Sequence, residues 1–196
     1  MVMASGLILS ELASLSVLVA CSLVMLNPLI WTLINRFEYK THAISRLCRG
    51  PRAGTTVWAS LIMGMNVFRT SVFHYMAVKG TKLHFFEANV GATTAGYLII
   101  VLGVSLVLST HWRLGFFGSF YGDCFGILLH AKVTEFPYNI LDHPMYWGSF
   151  MIHFGGAIVC ASAVGFLLSL AIGLSYAMVA VVEAPLTAEI YAAKKA

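Results

Sequence analysis

Long apolar stretches are the feature that most limits how this chain can fold. A helix needs about 20 apolar residues to cross a hydrocarbon core roughly 30 Å thick. Stretches of that length or longer occur at residues 6–34, 55–73, 90–108 and 145–182. Only 10% of the residues are charged, against about 25% in a typical soluble domain. One water-soluble core cannot hide this excess of apolar side chains, so we expect an integral membrane protein.

The apolar stretches predict helices rather than strands. Lipid offers the backbone no hydrogen-bond partners, and the sequence lacks the alternating strands of a membrane barrel. Residues 145–182 are too long for one crossing, and the small residues at 161–163 and Gly165 favour a hairpin; one continuous tilted helix is the alternative. The expected fold is an all-α bundle of four or five intramembrane helices, the last two forming a hairpin, with residues 1–196 as a single membrane-embedded domain.

The first apolar stretch contains Asn27 and Pro28, where we expect the helix to be interrupted. This stretch either crosses the membrane or dips into it and returns. It is too long for the apolar region of a signal peptide, and no Lys or Arg precedes it. We therefore expect it to be the first intramembrane segment.

Composition excludes several other classes of protein. High apolar content and low charge exclude a disordered chain. The net charge of +4 forms no basic stripe interleaved with aromatic residues, so we expect no nucleic-acid partner. The four cysteines are scattered singly and the seven histidines include no pair spaced i,i+4. We therefore expect neither a disulfide framework nor a metal site.

Three polar side chains, Asn66, Arg69 and His153, fall within or near the apolar stretches. We expect the long side chain of Arg69 to carry its charge to the membrane interface. For Asn66 and His153 we expect hydrogen bonds to a hydroxyl or carbonyl group of a neighbouring helix, because an unpaired polar group in lipid is costly.

Polar and aromatic residues concentrate in two segments that flank the last apolar stretch. Residues 134–148 hold two acids, a histidine, an amide and four aromatic side chains, and residues 183–191 hold two further acids. If a hairpin lies between them, both segments reach the same membrane face, which predicts a functional site there. An interfacial aromatic belt is the alternative for the aromatic residues, but it does not explain Asp142 and His143.

These segments closely resemble the phosphatidylethanolamine and phosphatidyl-N-methylethanolamine N-methyltransferases. The matching runs are GDCFGIL at 122–128, NILDHPMYWGS at 139–149 and EAPLTAEIY at 183–191. The wider pattern His-Pro-x-Tyr-x-Gly is shared with isoprenylcysteine carboxyl methyltransferases, but the longer context favours the phospholipid enzymes. The resemblance spans most of the chain and is dense over residues 115–191.

The resemblance implies a multi-pass enzyme of the endoplasmic reticulum membrane, with a mitochondrial membrane as the alternative location. Such enzymes transfer methyl groups from S-adenosyl-L-methionine to phosphatidylethanolamine and its mono- and dimethyl derivatives, which yields phosphatidylcholine. The implied partners are a phospholipid substrate and the bilayer itself. Nothing in the sequence predicts an oligomeric state.

The resemblance also implies where the methyl donor binds. The family assigns it to a Gly-x-Gly in the third apolar stretch and to a Glu-Glu pair after the last helix. In this chain the first position reads Val101-Leu102-Gly103 and the second reads Glu183-Ala184. We therefore carry over Leu102, Gly103 and Glu183 as cofactor-binding residues.

Amine methylation needs a base, because the lipid amine arrives protonated and only the neutral amine can accept a methyl group. We take His143 as the first candidate, since histidine is the side chain whose ordinary pKa lies near neutrality. Glu189 and Asp142 are the alternative catalytic residues. The reaction as predicted uses no metal.

Methylation turns the head group into a cation that can no longer donate hydrogen bonds. Aromatic faces attract such cations, so Tyr138, Tyr146 and Trp147 are the predicted contacts for the substrate head group.

Two other functions remain as alternatives. An isoprenylcysteine carboxyl methyltransferase-like enzyme would methylate a carboxylate and would need no base for an amine. A non-enzymatic small transporter or scaffold subunit is suggested by the polar Asn66, Arg69 and His153 near the helices.

Overall fold

The computed structural model describes residues 2–131 and 133–193, which form seven α-helices and one 3-10 turn. The helices are α1 (Val2–Leu12), α2 (Leu15–Thr41), α3 (Ala43–Leu47), α4 (Pro51–Lys79), α5 (Val90–Ser119), α6 (Pro144–Val159) and α7 (Ala163–Ala193), and the 3-10 turn is Gly122–Phe125. Three of them, α2, α5 and α7, are long and apolar enough to cross a membrane. The predicted all-α integral membrane fold is confirmed.

The last apolar stretch folds into the predicted hairpin. Only Cys160, Ala161 and Ser162 lie between the end of α6 and the start of α7. The chain reverses there because Ala161 adopts a left-handed backbone with φ of 49°. The hydroxyl of Ser162 accepts a hydrogen bond from the amide of Gly165 at 3.1 Å, as a serine at a helix start does. The alternative of one continuous tilted helix is therefore excluded.

The predicted interruption at Asn27 and Pro28 is wrong, because α2 continues through both residues. Proline removes one backbone donor from the helix, but packing holds this segment on α4: the Asn27 amide donates to the carbonyl oxygen of Met65 at 2.8 Å. The first apolar stretch breaks earlier instead, at Ala13 and Ser14, between α1 and α2.

Glycines set the close approach of α5 and α6. A Cβ atom on Gly103 would lie 2.6 Å from the carbonyl oxygen of Gly148, and one on Gly96 would lie 3.0 Å from that of Gly155. Helices in lipid pack closely where small residues let their backbones meet. This contact brings the start of α6 near the turn that follows α5.

The two ends of the bundle have different roles. At one end the hairpin turn meets the loop after α4, where the amide of Leu83 donates to the carbonyl oxygen of Ala161 at 2.7 Å. At the other end lie the start of α6 and the last turns of α2 and α7. Glu183 follows the first residue of α7 by 20 positions, a rise of about 30 Å. That distance matches the thickness of a hydrocarbon core, so Glu183 lies near the opposite membrane boundary.

Arg69 does not reach the membrane interface, and this prediction is wrong. Its side chain is 4% exposed, and its guanidinium donates to the hydroxyls of Tyr176 at 2.6 Å and Ser149 at 3.2 Å. α4 continues for ten residues beyond Arg69, about 15 Å, which is farther than the side chain extends. Two hydroxyls inside the bundle therefore accept hydrogen bonds from the terminal nitrogens of the guanidinium, whereas its Nε atom has no partner among the described residues.

The two other polar side chains also differ from expectation. The Nδ1 atom of His153 lies 2.7 Å from the carbonyl oxygen of Ser149, which belongs to its own helix rather than to a neighbour. The Oδ1 atom of Asn66 has no hydrogen-bond partner among the described residues.

Candidate active site

The carboxylate of Glu183 is the centre of a polar cluster at the boundary end of the bundle. The hydroxyl of Tyr121 donates to its Oε1 atom at 2.5 Å, and the hydroxyl of Tyr146 donates to its Oε2 atom. Thr32 Oγ1 lies 3.5 Å from Oε1, and the two tyrosine hydroxyls are 3.0 Å apart. Four parts of the chain therefore meet here: α2, the turn after α5, the start of α6 and the end of α7.

The groups that hydrogen-bond to the Glu183 carboxylate are hydroxyls, and no cation of the described residues forms an ion pair with it. The ion pairs among the described residues are His84 with Glu87 and Arg113 with Glu135, both elsewhere in the chain. A carboxylate held by neutral donors in a poorly solvated setting strongly attracts a cation. The cluster is therefore suited to bind a positively charged group.

An aromatic column runs inward from this cluster. The imidazole of His143 stacks on the ring of Tyr146, with 5.7 Å between ring centroids. Tyr146 stacks in turn on Tyr176, with centroids 4.6 Å apart and planes 13° from parallel. The guanidinium of Arg69 lies beyond, 5.3 Å from the Tyr176 centroid. The column connects His143 to the buried core of the bundle through Tyr146.

The part of α2 that carries Trp31, Asn35 and Arg36, called the α2 wall below, borders the cluster beside α7. The guanidinium of Arg36 donates to the carbonyl oxygen of Val182 at 2.7 Å, one residue before Glu183. Three donor atoms on this part of α2 are buried and have no acceptor among the described residues: Trp31 Nε1, Asn35 Nδ2 and Arg36 Nε. Among the described residues, the α2 wall therefore offers hydrogen-bond donors without acceptors close to a carboxylate without an ion pair.

The three predicted catalytic residues differ in their exposure and in their contact with the Glu183 cluster. His143 immediately precedes α6 and contacts Tyr146, which binds Glu183. Asp142 and Glu189 are exposed. Of the three candidates, His143 is the one that stacks on the Glu183 cluster.

The three predicted head-group residues also lie in different places. Tyr146 lies in the cluster, whereas Trp147 is exposed and packs edge-on against Phe150. Tyr138 lies in the loop between α5 and α6, and partial burial raises the pKa of its phenol to about 12. This phenol is therefore neutral throughout the physiological pH range.

The predicted cofactor residues on α5 lie on two faces of that helix. Gly103 is packed against the backbone of Gly148, and Leu102 is 57% exposed. Glu183, the third predicted cofactor residue, occupies the centre of the polar cluster.

Sequence reasoning missed Tyr121, Tyr176 and the α2 wall. Tyr176 lies within a long apolar run, where a tyrosine resembles any other large side chain. Trp31 and Arg36 lie in the first apolar stretch and just after it, and no pattern in the sequence indicated a role for them. Tyr121 directly precedes the matching run at 122–128, which was the available clue.

The comparisons with known proteins identify the family of this chain. The sequence model of the Phospholipid methyltransferase family matches residues 91–194. A phosphatidylethanolamine N-methyltransferase of Homo sapiens is 40% identical over 86% of this chain and 84% of that protein. A phosphatidyl-N-methylethanolamine N-methyltransferase of Saccharomyces cerevisiae is 33% identical over 86% of this chain and 81% of that protein.

No solved structure matches the chain. The family match covers α5, α6 and α7 and includes Tyr121, Tyr146 and Glu183. The similarity to the curated enzymes extends over most of the remaining chain as well. The chain therefore belongs to the phospholipid methyltransferase family and is a methyltransferase, as its sequence motifs predicted.

Proposed function

We propose that this chain N-methylates phosphatidylethanolamine and its mono- and dimethyl derivatives to phosphatidylcholine in the endoplasmic reticulum membrane. Residues 1–196 act as one membrane-embedded domain, and S-adenosyl-L-methionine is the methyl donor. The observation that carries the proposal is the Glu183 cluster, a carboxylate that hydroxyls hold and that forms no ion pair among the described residues, beside aromatic rings where a bilayer would end. The named activities of the human and yeast relatives support the same substrate class.

The residues of the cluster fit a cationic methyl donor. S-adenosyl-L-methionine, when bound, supplies a methyl group carried on a positively charged sulfur. Glu183 is the residue that would face a positive charge of this cofactor, and the hydroxyls of Tyr121 and Tyr146 hold its carboxylate in place. Leu102 and Gly103 on α5 are the further proposed cofactor residues.

His143 is proposed as the base. The lipid ammonium must lose a proton before its nitrogen can accept a methyl group, and a neutral imidazole can take that proton. The stacking of His143 on Tyr146 keeps the imidazole beside the Glu183 cluster. Asp142 and Glu189 are the alternative bases, although both side chains are exposed.

Aromatic rings are proposed to hold the methylated head group. Tyr146 is within the cluster, and Tyr138 and Trp147 belong to the loop and helix start that border it. A cation over an aromatic face gains about 0.5–2 kcal/mol, more when water is excluded. Rings therefore retain a di- or trimethylated nitrogen that has few or no N–H groups left.

Labelled methyl transfer by the purified protein tests this function. The protein is incubated with methyl-labelled S-adenosyl-L-methionine and, separately, with phosphatidylethanolamine and its monomethyl and dimethyl derivatives. We expect label in the lipid fraction, and the products then identify which of the three steps are efficient. Label on a farnesylcysteine substrate instead of on lipid would contradict the proposal.

The two other functions considered from the sequence are not favoured. The matched relatives are named as phospholipid-type N-methyltransferases rather than as prenylcysteine enzymes. The buried Arg69, which suggested a transport role, donates to Tyr176 and so belongs to the aromatic column beneath the cluster. These observations leave the transporter and scaffold hypotheses without specific support.

A further inference from the structure

We infer that Trp31, Asn35 and Arg36 on α2 form an oxyanion subsite of the active site. The ligand group is the phosphodiester of the lipid substrate or the carboxylate of the methyl donor, two groups with the same hydrogen-bonding chemistry. This inference rests on the proposed function, because it names the residues that receive the negative half of a zwitterionic ligand.

Burial without a partner is the first observation. Trp31 is 3% exposed and Asn35 is 2% exposed, yet Trp31 Nε1 and Asn35 Nδ2 have no acceptor among the described residues. Arg36 Nε is also buried and also has no acceptor among the described residues. A buried donor without an acceptor is costly, and nearly all such groups in proteins are paired. Three of them within six consecutive residues of one helix indicate a ligand that supplies acceptors.

The internal contacts of Asn35 fix the direction of its amide. Its Oδ1 atom accepts a hydrogen bond from the indole nitrogen of Trp58 at 2.6 Å. The oxygen side of the amide is therefore occupied by α4, and the NH₂ group is left for another acceptor. Trp31 lies four positions earlier and shares the same face of α2.

The position of these donors next to Glu183 is the second observation. Thr32, between the donors on α2, lies 3.5 Å from the Glu183 carboxylate. Arg36 binds the carbonyl oxygen of Val182, and the ring of Trp31 lies 6.4 Å from that of Tyr176. The segment of α2 that carries these donors for an anion therefore packs against the part of α7 that carries Glu183, an acceptor for a cation. Both the phosphate–amine head group and the amino-acid end of the methyl donor carry this pair of charges.

Conservative variants test the subsite, each with a matched control. Each of three variants removes an N–H group that has no acceptor. Trp31→Phe keeps a ring, Asn35→Asp keeps the acceptor for Trp58, and Arg36→Lys keeps the charge. The matched controls are Trp112→Phe on the exposed face of α5, Asn89→Asp at the start of α5, and Arg113→Lys in its surface ion pair.

Two binding measurements distinguish the ligand group. The first is thermal stabilisation of the purified protein by phosphatidylethanolamine compared with diacylglycerol, which lacks the phosphate together with the amine. The second is calorimetric binding of S-adenosylhomocysteine compared with 5′-methylthioadenosine, which lacks the carboxylate together with the ammonium group. We expect the α2 variants to weaken binding of one oxyanion-bearing ligand by about tenfold or more. Diacylglycerol and 5′-methylthioadenosine should be unaffected.

A loss confined to phosphatidylethanolamine supports the phosphate, and one confined to S-adenosylhomocysteine supports the carboxylate. The inference is overturned if the α2 variants bind all four ligands within twofold of the wild type. It is also overturned if binding weakens as much for diacylglycerol as for phosphatidylethanolamine and as much for 5′-methylthioadenosine as for S-adenosylhomocysteine. If the Asn35 variant does not fold, the Trp31 and Arg36 variants decide. Failure of the proposed function would look different, since the wild type itself would then transfer no methyl group to lipid.

Discussion

The phenol of Tyr146 donates a hydrogen bond to the carboxylate of Glu183 across 37 positions of sequence. The two residues meet because α6 and α7 run antiparallel after the turn at 160–162. Tyr146 also stacks between His143 and Tyr176, so this one ring joins the proposed base, the proposed cofactor contact and the core of the bundle.

Replacing Glu183 by glutamine is expected to weaken binding of the methyl donor by about tenfold to a hundredfold, the worth of one hydrogen bond or contact to a charged group. The variant keeps the shape of the side chain and removes its charge. The affinity for S-adenosylhomocysteine, measured by calorimetry, checks this. Glu87→Gln is the control, because Glu87 pairs with His84 in the loop after α4, away from the cluster. An unchanged affinity of the Glu183 variant would remove this residue from the cofactor site.

Replacing His143 by alanine is expected to lower kcat by about 10²–10⁴-fold, the usual contribution of a general base. Turnover of monomethylated lipid between pH 6 and 9 measures this loss. His84→Ala is the matched control, since that exposed imidazole pairs with Glu87 in the loop after α4. Near-normal turnover of the His143 variant across this pH range would contradict the assignment of His143 as the base.

Much of the fold was predictable because lipid imposes simple rules on a sequence. A stretch of apolar residues too long for one crossing must either reverse or tilt, and the small residues at 161–163 favoured the hairpin that the structure contains. The convergence of residues 134–148 and 183–191 at one end follows from that hairpin alone. The motif around His143 then identified the family without any structure.

The contacts inside the bundle could not be predicted, because they depend on how the helices rotate. Hydropathy predicts that the charge of Arg69 lies at the membrane interface. In the structure, the hydroxyls of Tyr176 and Ser149 accept hydrogen bonds from its guanidinium inside the bundle. Likewise, Pro28 is a helix breaker by propensity, but packing through Asn27 on α4 carries the helix past it. The partners of Glu183 come from three other segments, and periodicity does not indicate which tyrosines face it.

Replacing Tyr138 by phenylalanine is expected to leave the alkaline pH profile of the reaction unchanged. Burial raises the pKa of this phenol to about 12, so its proton stays in place up to pH 10 and ionisation of this group does not contribute to that profile. Replacement by leucine should instead raise KM for the dimethylated lipid, because the aromatic face for the cation is lost. The measurement is kcat and KM between pH 7 and 10. A profile that shifts in the phenylalanine variant would show that the hydroxyl takes part in proton transfer.

Replacing Gly103 by alanine separates packing from cofactor binding on α5. The added Cβ atom would lie 2.6 Å from the carbonyl oxygen of Gly148, so α5 and α6 must move apart, at a cost of about 1–3 kcal/mol. Gly96→Ala is the matched control: its Cβ atom would meet the backbone of Gly155 at 3.0 Å, two helical turns farther from the cluster. Thermal unfolding should show a loss of stability in both variants. If Gly103 also contacts the methyl donor, only its variant should weaken S-adenosylhomocysteine binding beyond the loss shared with the Gly96 variant. Equal affinities in the two variants would assign Gly103 to helix packing alone and leave Leu102 and Glu183 as the cofactor residues carried over from the family.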